Sequence, residues 1–226
     1  MSRPLRWKNK LFMGSLFFHR LFAHATGREI LVAPKYAYSV SNYEVRNATL
    51  ELISKEINRY NVEGSAAELG VYKGGFAMQI NYFLPDRKLY LFDTFEGFDS
   101  RDAESDRAGN FSSGTQDFSQ TSEELVLSKM EYPENCIIRK GWFPDTAQGI
   151  DDSFCFVSLD ADLYQPILAG LEFFYPRLNR GGAIMIHDFN NYEYKGVRKA
   201  VTEFCGRNNI GYVCIPDSYG SAVIVK

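Results

Sequence analysis

With 226 residues, 45% of them apolar and 23% charged, the chain has ordinary globular composition and enough apolar material for one sizeable core. A formal net charge of −3 gives nucleic acid no global attraction, and no uninterrupted apolar run approaches the ~18 residues of a membrane-spanning helix. The four cysteines, Cys136, Cys155, Cys205 and Cys214, lack CxxC spacing and lie mostly in apolar runs, so they read as reduced core residues of a cytoplasmic protein, not as a disulfide or zinc framework.

The first 28 residues carry Arg3, Arg6, Lys8, Lys10, Arg20 and Arg28 with no acid, interleaved with Trp7, Phe12, Phe17, Phe18 and Phe22. A basic start, a short apolar stretch and a small-residue triplet occur in signal-peptide order, but His19 and Arg20 interrupt the apolar stretch before the cleavage position. Two readings remain: a helix packed on the domain or on a dimer partner, and a basic aromatic helix in peripheral contact with an anionic membrane surface. The expected organisation is an extension over 1–37 and one domain over 38–226.

The domain opens with Ser41 and Glu44 at capping-box spacing, followed by Val45, Ala48, Leu52 and Ile53 at helical intervals to about Tyr60. Apolar runs at 65–71, 88–94, 135–141, 154–161 and 182–189 then read as strands. Helical stretches from Gly75 to about Leu84, Ser122 to about Met130 and Gln165 to Leu178 separate them. A further helix carries Val197, Val201 and Phe204 inward. Apolar strands separated by helices indicate a parallel sheet covered on both faces. GYVCIP and SAVIVK, separated by a turn at Asp217 to Gly220, predict a terminal antiparallel hairpin and seven strands in all. Gly97 to Gln120 is polar, Gly/Ser-rich and acidic, and is expected to be a long loop, either a functional lid or disordered.

The first chemical motif is AELGVYKGG, Ala67 to Gly75, where a strand ends in Glu68 and turns through Gly70, Gly74 and Gly75 into a helix. Such a turn lets backbone approach a ligand at the C-terminal edge of the sheet. The spacing is not GxGxxG, and the Glu68 carboxylate suits a ligand amino group better than a diphosphate. Asp93, ending the next strand 23 positions after Gly70, stands where an acid holds a ribose diol. Together they describe a pocket for a nucleoside bearing an amino acid. The third motif is a pair of strand ends: VSLDADLYQPI leaves Asp160 and Asp162 at one, AIMIHDF leaves His187 and Asp188 at the other.

AELGVYKGG, LFDTFEGF, KGWFPDT, SLDADLYQPILAGLEFFYPRLNRGG, HDFNN and KGVRKAV resemble the macrocin O-methyltransferase family over about Tyr38 to Lys226. The resemblance implies a Rossmann-like class I methyltransferase fold, α/β, with S-adenosylmethionine and a divalent cation, Mg2+ or Mn2+, as cofactors. It implies that Glu68, Gly70, Val71, Tyr72, Gly74 and Gly75 hold the methionine part, that Asp93 binds the ribose hydroxyls, and that Thr94 and Asp160 also belong to the cofactor site. Phe95, Trp142 and Phe143 would line the adenine side, near Asp160. The metal would be held by Asp160, His187 and Asp188. His187 departs from the acid found in many relatives, and imidazole suits softer metals than magnesium. The turn also resembles the more distant catechol O-methyltransferases, whose lysine after the first metal Asp is absent here, Leu163 standing in its place.

On that resemblance Asp160, with His187 second, is the expected catalytic base, and Asp162 is expected to orient Tyr164 or the acceptor. The acceptor would be a hydroxyl of a sugar, polysaccharide precursor or glycosylated metabolite, and a homo-oligomer is expected. A nicotinamide dehydrogenase is disfavoured by the missing GxGxxG and the terminal hairpin. The rival from another class is a non-catalytic methyltransferase-like module recruited to a membrane or partner through its N-terminus.

Overall fold

The computed structural model describes residues 42–226; the expectations for the N-terminal segment, its boundary at 37/38 and the capping box at Ser41 and Glu44 lie outside the described backbone or side chains. The described helices are α1 (Asn42–Arg59), α2 (Gly75–Phe83), α3 (Ser100–Ala108), α4 (Glu123–Leu127), α5 (Tyr164–Arg177) and α6 (Lys195–Asn208). The strands are β1 (Ser65–Leu69), β2 (Leu89–Asp93), β3 (Cys136–Lys140), β4 (Phe154–Leu159), β5 (Leu178–Ile186), β6 (Val213–Ile215) and β7 (Ser221–Val225). None of these helices is long and apolar enough to cross a membrane.

The strands form one seven-stranded sheet in the order β3-β2-β1-β4-β5-β7-β6. β1 to β5 run parallel, and β7 pairs antiparallel with both β5 and β6, which is the expected terminal hairpin. Because the chain winds outward from β1 to β3 and then restarts at β4, the order reverses between β1 and β4. Their C-terminal ends therefore diverge and open a crevice, the place where open α/β sheets bind ligands.

Two apolar layers cover the sheet. Ile167, Leu171 and Phe174 of α5 and Val197, Ala200, Val201 and Phe204 of α6 pack with Phe92, Phe154 and Ile184 on one face. Leu50 and Ile57 of α1 and Ala77 and Ile80 of α2 pack with Leu91, Phe156 and Met185 on the other. Phe174 anchors the first layer, meeting Phe154 at 5.0 Å, Phe92 at 5.7 Å and Phe143 at 5.9 Å between ring centroids.

The segment from Gly97 to Gln120 is not the uniform loop its composition suggests, because it contains α3. Asp99 caps that helix by accepting from the Arg101 N–H. Asp106, fully buried, accepts from the Tyr164 N–H at 2.8 Å and from the Ser112 hydroxyl at 2.9 Å. The segment is thus fastened to the start of α5 by a polar anchor where an apolar stripe would ordinarily be sought. β5 also begins earlier than the apolar pattern implies, at Leu178, so that Gly181 and Gly182 lie within it.

Truncating Phe174 to Ala should remove the shared partner of several rings and cost about 3–5 kcal/mol, read as a lower urea midpoint with an unchanged slope.

Candidate active site

A cavity of about 650 Å³ opens at the ends of β1, β2, β4 and β5, within the range of small-molecule sites. Its floor is built by backbone in the left-handed region. Gly70 has φ +86°, and a Cβ there would lie 2.2 Å from the Asp160 carbonyl oxygen, so only glycine lets the β1 turn pass the end of β4 this closely. Tyr72, Phe95, Asp162 and Asp188 also hold φ between 47° and 59°, conformations that cost side-chain-bearing residues energy and that cluster at functional sites.

At the β1–β2 end, Asp93 organises the turn. Its Oδ2 accepts from the N–H groups of Val71 (2.7 Å) and Tyr72 (2.8 Å), and its Oδ1 from the Phe95 N–H (2.7 Å). A carboxylate has about four acceptor positions, so one remains for a ligand hydroxyl. Glu68 is 1% exposed; its Oε1 accepts a long contact from the Ser158 hydroxyl at 3.4 Å, and its Oε2 has no partner. Burial, offset in part by Arg46 and reinforced by Asp160 and Asp93, pushes the Glu68 carboxyl well above the usual range. A buried, half-satisfied acid on the cavity wall is completed by a cationic donor from the ligand.

Gly70, Val71, Tyr72, Gly75, Asp93 and Thr94 line the cavity. Gly74 stands one layer back as the N-cap of α2, with φ 74°. Trp142 lines the wall, donating from Nε1 to Asp102 Oδ2 at 3.0 Å while the Arg101 guanidinium covers its ring at 3.8 Å. Phe143 both lines the cavity and packs edge-on against Phe92. Phe95 does not reach the cavity: 5% exposed, it belongs to the apolar layer beneath α2, so its expected adenine contact is replaced by core packing. Alternation along β2 points the same way, since Leu89 and Leu91 already belong to that layer. Phe98, unremarked in the sequence, takes a place on the wall, linked edge-to-face to Phe118 at 5.1 Å and to Tyr194 at 6.3 Å.

At the β4–β5 end, Asp160, His187 and Asp188 come together, with one ligand atom from each lying within 4.8 Å of the others. His187 Nδ1 is 2.9 Å from Asp160 Oδ1 and 2.8 Å from Asp188 Oδ2, so a single N–H is shared between two carboxylates. Burial opposes charge on the imidazole, but the two carboxylates prevail and raise it to about 10. Burial likewise opposes the Asp160 charge, and Arg46 and His187 overcome it, holding that carboxyl well below its usual range. Two carboxylates and an imidazole within reach of one point are a donor set that fits a divalent cation, with manganese or iron suited as well as magnesium.

Arg46 went unnoticed in the sequence. It projects from α1, 7% exposed, donating from Nη1 to Asp160 Oδ2 at 2.9 Å and from Nη2 to Ser158 Oγ at 3.2 Å, with the Phe76 ring 3.8 Å beneath it. The available signal was its register: Arg46 shares the buried face of α1 with Leu50, Ser54 and Ile57, where a charge demands a partner. Of the two roles expected for Asp162, the structure gives the orienting of Tyr164 to another residue. Tyr164 is oriented by Glu203, which accepts from its hydroxyl at 3.0 Å, while Asp162 is pushed well above the carboxylate range by burial and by Asp160 and Asp188, and is hydrogen-bonded to Asp188.

Asp102 offers a stability test away from these ligands. Burial raises its carboxyl from 3.8 to about 6 despite the Trp142 hydrogen bond. Between those values the folded chain binds more protons than the unfolded one, so the contribution is complete below pH ~4 and is lost as pH rises through ~6. Asp102→Asn should flatten the fall in unfolding free energy between pH 4 and 7 by up to about 3 kcal/mol, measured by urea titration at several pH values.

A family model described as Macrocin-O-methyltransferase (TylF) matches residues 20–215. The 8-demethyl-8-(2,3-dimethoxy-alpha-L-rhamnosyl)-tetracenomycin-C 4'-O-methyltransferase of Streptomyces olivaceus is 29% identical over 161 residues, 66% of this chain and 60% of that protein. The mycinamicin III 3''-O-methyltransferase of Micromonospora griseorubida is 26% identical over 167 residues, 67% of this chain and 64% of that protein. The chain thus spans under two thirds of the length of these relatives. Among solved structures, calicheamicin methyltransferase CalS11 superposes with TM-score 0.67 at 18% identity, covering 100% of this chain and 94% of that one. The O-methyltransferase NovP superposes with TM-score 0.63 at 20% identity, covering 81% and 80%. These two show the fold, and with the family match over residues 20–215 the chain belongs to the Macrocin-O-methyltransferase (TylF) family.

Proposed function

We propose that the chain is an S-adenosylmethionine-dependent O-methyltransferase whose acceptor is a sugar hydroxyl of a glycosylated small molecule, working with a divalent cation at Asp160, His187 and Asp188. The observation that carries this reading is the unpartnered Oε2 of Glu68 on the wall of one cavity that also holds the Asp160, His187 and Asp188 cluster. Family membership supports the reaction class, and the names of relatives that carry rhamnosyl-tetracenomycin and mycinamicin support the acceptor class.

In this reading Glu68 takes the amino group of the methionine part, Asp93 takes ribose hydroxyls with its remaining acceptor position, and Trp142 and Phe143 flank the base. The transfer needs an oxygen nucleophile aligned behind the methyl group, and the rigid floor of Gly70, Val71 and Tyr72 fixes the sulfonium side of that line. A divalent cation, when bound, supplies the Lewis acidity that lowers the pKa of a hydroxyl. Asp160 is the group that receives the hydroxyl proton, because its carboxylate lines the cavity at the point where the cation would sit. His187, held between Asp160 and Asp188, orients Asp160 and stabilises its charge. The C–S bond breaks as the new C–O bond forms, the sulfur keeping the electron pair, so the products are the methyl ether, S-adenosylhomocysteine and one proton.

Calorimetric titration with S-adenosylmethionine should give micromolar binding for the wild type. Glu68→Ala should weaken it about 10- to 100-fold, the loss of a charge-assisted hydrogen bond. With glycosides as acceptors, transfer of a labelled methyl group should fall at least a thousandfold in Asp160→Asn, while S-adenosylmethionine binding changes little. No S-adenosylmethionine binding by wild type would sink the proposal. Binding with metal-independent, Asp160-independent function would favour the non-catalytic module.

A further inference from the structure

The cluster at the ends of β4 and β5 contains a cation of its own. Asp160 is one of three groups whose donor atoms converge, yet both of its oxygens are already engaged: Oδ1 faces His187 Nδ1 at 2.9 Å and Oδ2 receives the Arg46 Nη1 at 2.9 Å. The guanidinium is seated, not incidental. It is 7% exposed, lies 3.8 Å over the Phe76 ring and is tied by Nη2 to Ser158, the residue two before Asp160 on β4. Only its Nε lacks a partner among the described residues. A guanidinium packed on a ring and forked onto two acceptors loses little freedom on pairing, which makes it a stronger local cation than a flexible ammonium.

We propose that Arg46 is a resident counter-cation that competes with a divalent ion for Asp160, so that the free protein holds metal weakly. This deepens the function proposed above and rests on its metal site. The energetics follow from charge alone. A divalent ion drawn to Asp160, His187 and Asp188 either displaces the guanidinium from a paired, buried carboxylate or sits a few ångströms from a fixed positive charge; both lower its affinity relative to the same three ligands without Arg46. A second consequence concerns folding. Without metal, Arg46 and His187 together neutralise Asp160 and Asp188, so the sheet edge needs no ion to assemble.

Displacement of free Mn2+ signal by electron paramagnetic resonance reads metal binding directly, with no acceptor or cofactor present. Full-length wild type, Arg46→Gln, Arg46→Lys, Ser158→Ala and Asp188→Asn would be titrated at one pH, each after its melting temperature is recorded. Arg46→Gln is expected to bind Mn2+ at least tenfold more tightly than wild type. Arg46→Lys, which keeps the charge but replaces the planar fork by a flexible point charge, should fall between them. Ser158→Ala, a nearly isosteric change that removes only the second anchor, should gain a few-fold and remains informative if Arg46→Gln fails to fold. Affinities in the Arg46 and Ser158 variants equal to or weaker than wild type, with binding still lost in Asp188→Asn, overturn the role of Arg46 and leave the metal site standing. No binding in any variant up to millimolar Mn2+ overturns the metal site and this inference together.

Discussion

The constraint on which the rest of this molecule depends is the crowding of acids at one edge of its sheet. β1, β4 and β5 are adjacent and parallel, so their C-terminal ends bring Glu68, Asp160, Asp162 and Asp188 into one cavity. Four carboxylates in partly desolvated surroundings cannot all be ionised without compensation. Two devices solve the problem. Arg46 and His187 supply positive charge to Asp160 and Asp188, while burial and neighbouring charge push the Glu68 and Asp162 carboxyls well above the usual range. The arrangement thus offsets part of the crowded negative charge, and it holds the Asp160 carboxyl well below its usual range.

That balance dictates much of the local fold. Bringing Asp160 within reach of Arg46 requires α1 to lie against the edge of β4, and the guanidinium then needs Phe76, from the first turn of α2, as its platform. Seating α2 there requires the chain to leave β1 in a tight turn, which Gly70 permits and the Asp93 carboxylate holds closed through two backbone N–H groups. The same carboxylate therefore has a structural task, beside the ligand-binding one proposed above. The left-handed conformations of Asp162 and Asp188 swing both acids back over the strand ends, a strained geometry that the hydrogen bonds of the network repay.

The order of the strands, the helices that join most of them and the terminal hairpin were legible in apolar runs read residue by residue, as were the acid-bearing ends of β4 and β5; the grouping of Asp160, His187 and Asp188 came from the family resemblance. What was illegible shares a cause: polar groups acting as anchors. α3 has a poor apolar stripe because Asp102 and Asp106, acids that composition assigns to solvent, are its buried residues along with Ala103. Arg46 has the same character, a charge on a buried face whose partner lies 114 residues away. Phe95 differs for another reason: it falls on the same face as Leu89 and Leu91, and that face belongs to the apolar layer beneath α2, not to the cavity.

The identity of residue 187 follows from the same balance of charge. An acid there would set three carboxylates around the point where Asp160, His187 and Asp188 now meet, and would remove one of the two positive partners that Asp160 has among the described residues. With histidine, one shared Nδ1 proton satisfies Asp160 and Asp188 at 2.9 and 2.8 Å, so the edge is complete before any ion arrives. The imidazole nitrogen that carries that proton can serve as a metal ligand only after giving it up, because coordination and protonation use the same lone pair. On the metal reading proposed above, histidine at this position would trade intrinsic metal affinity for a charge-balanced edge, and Arg46 would push the trade in the same direction.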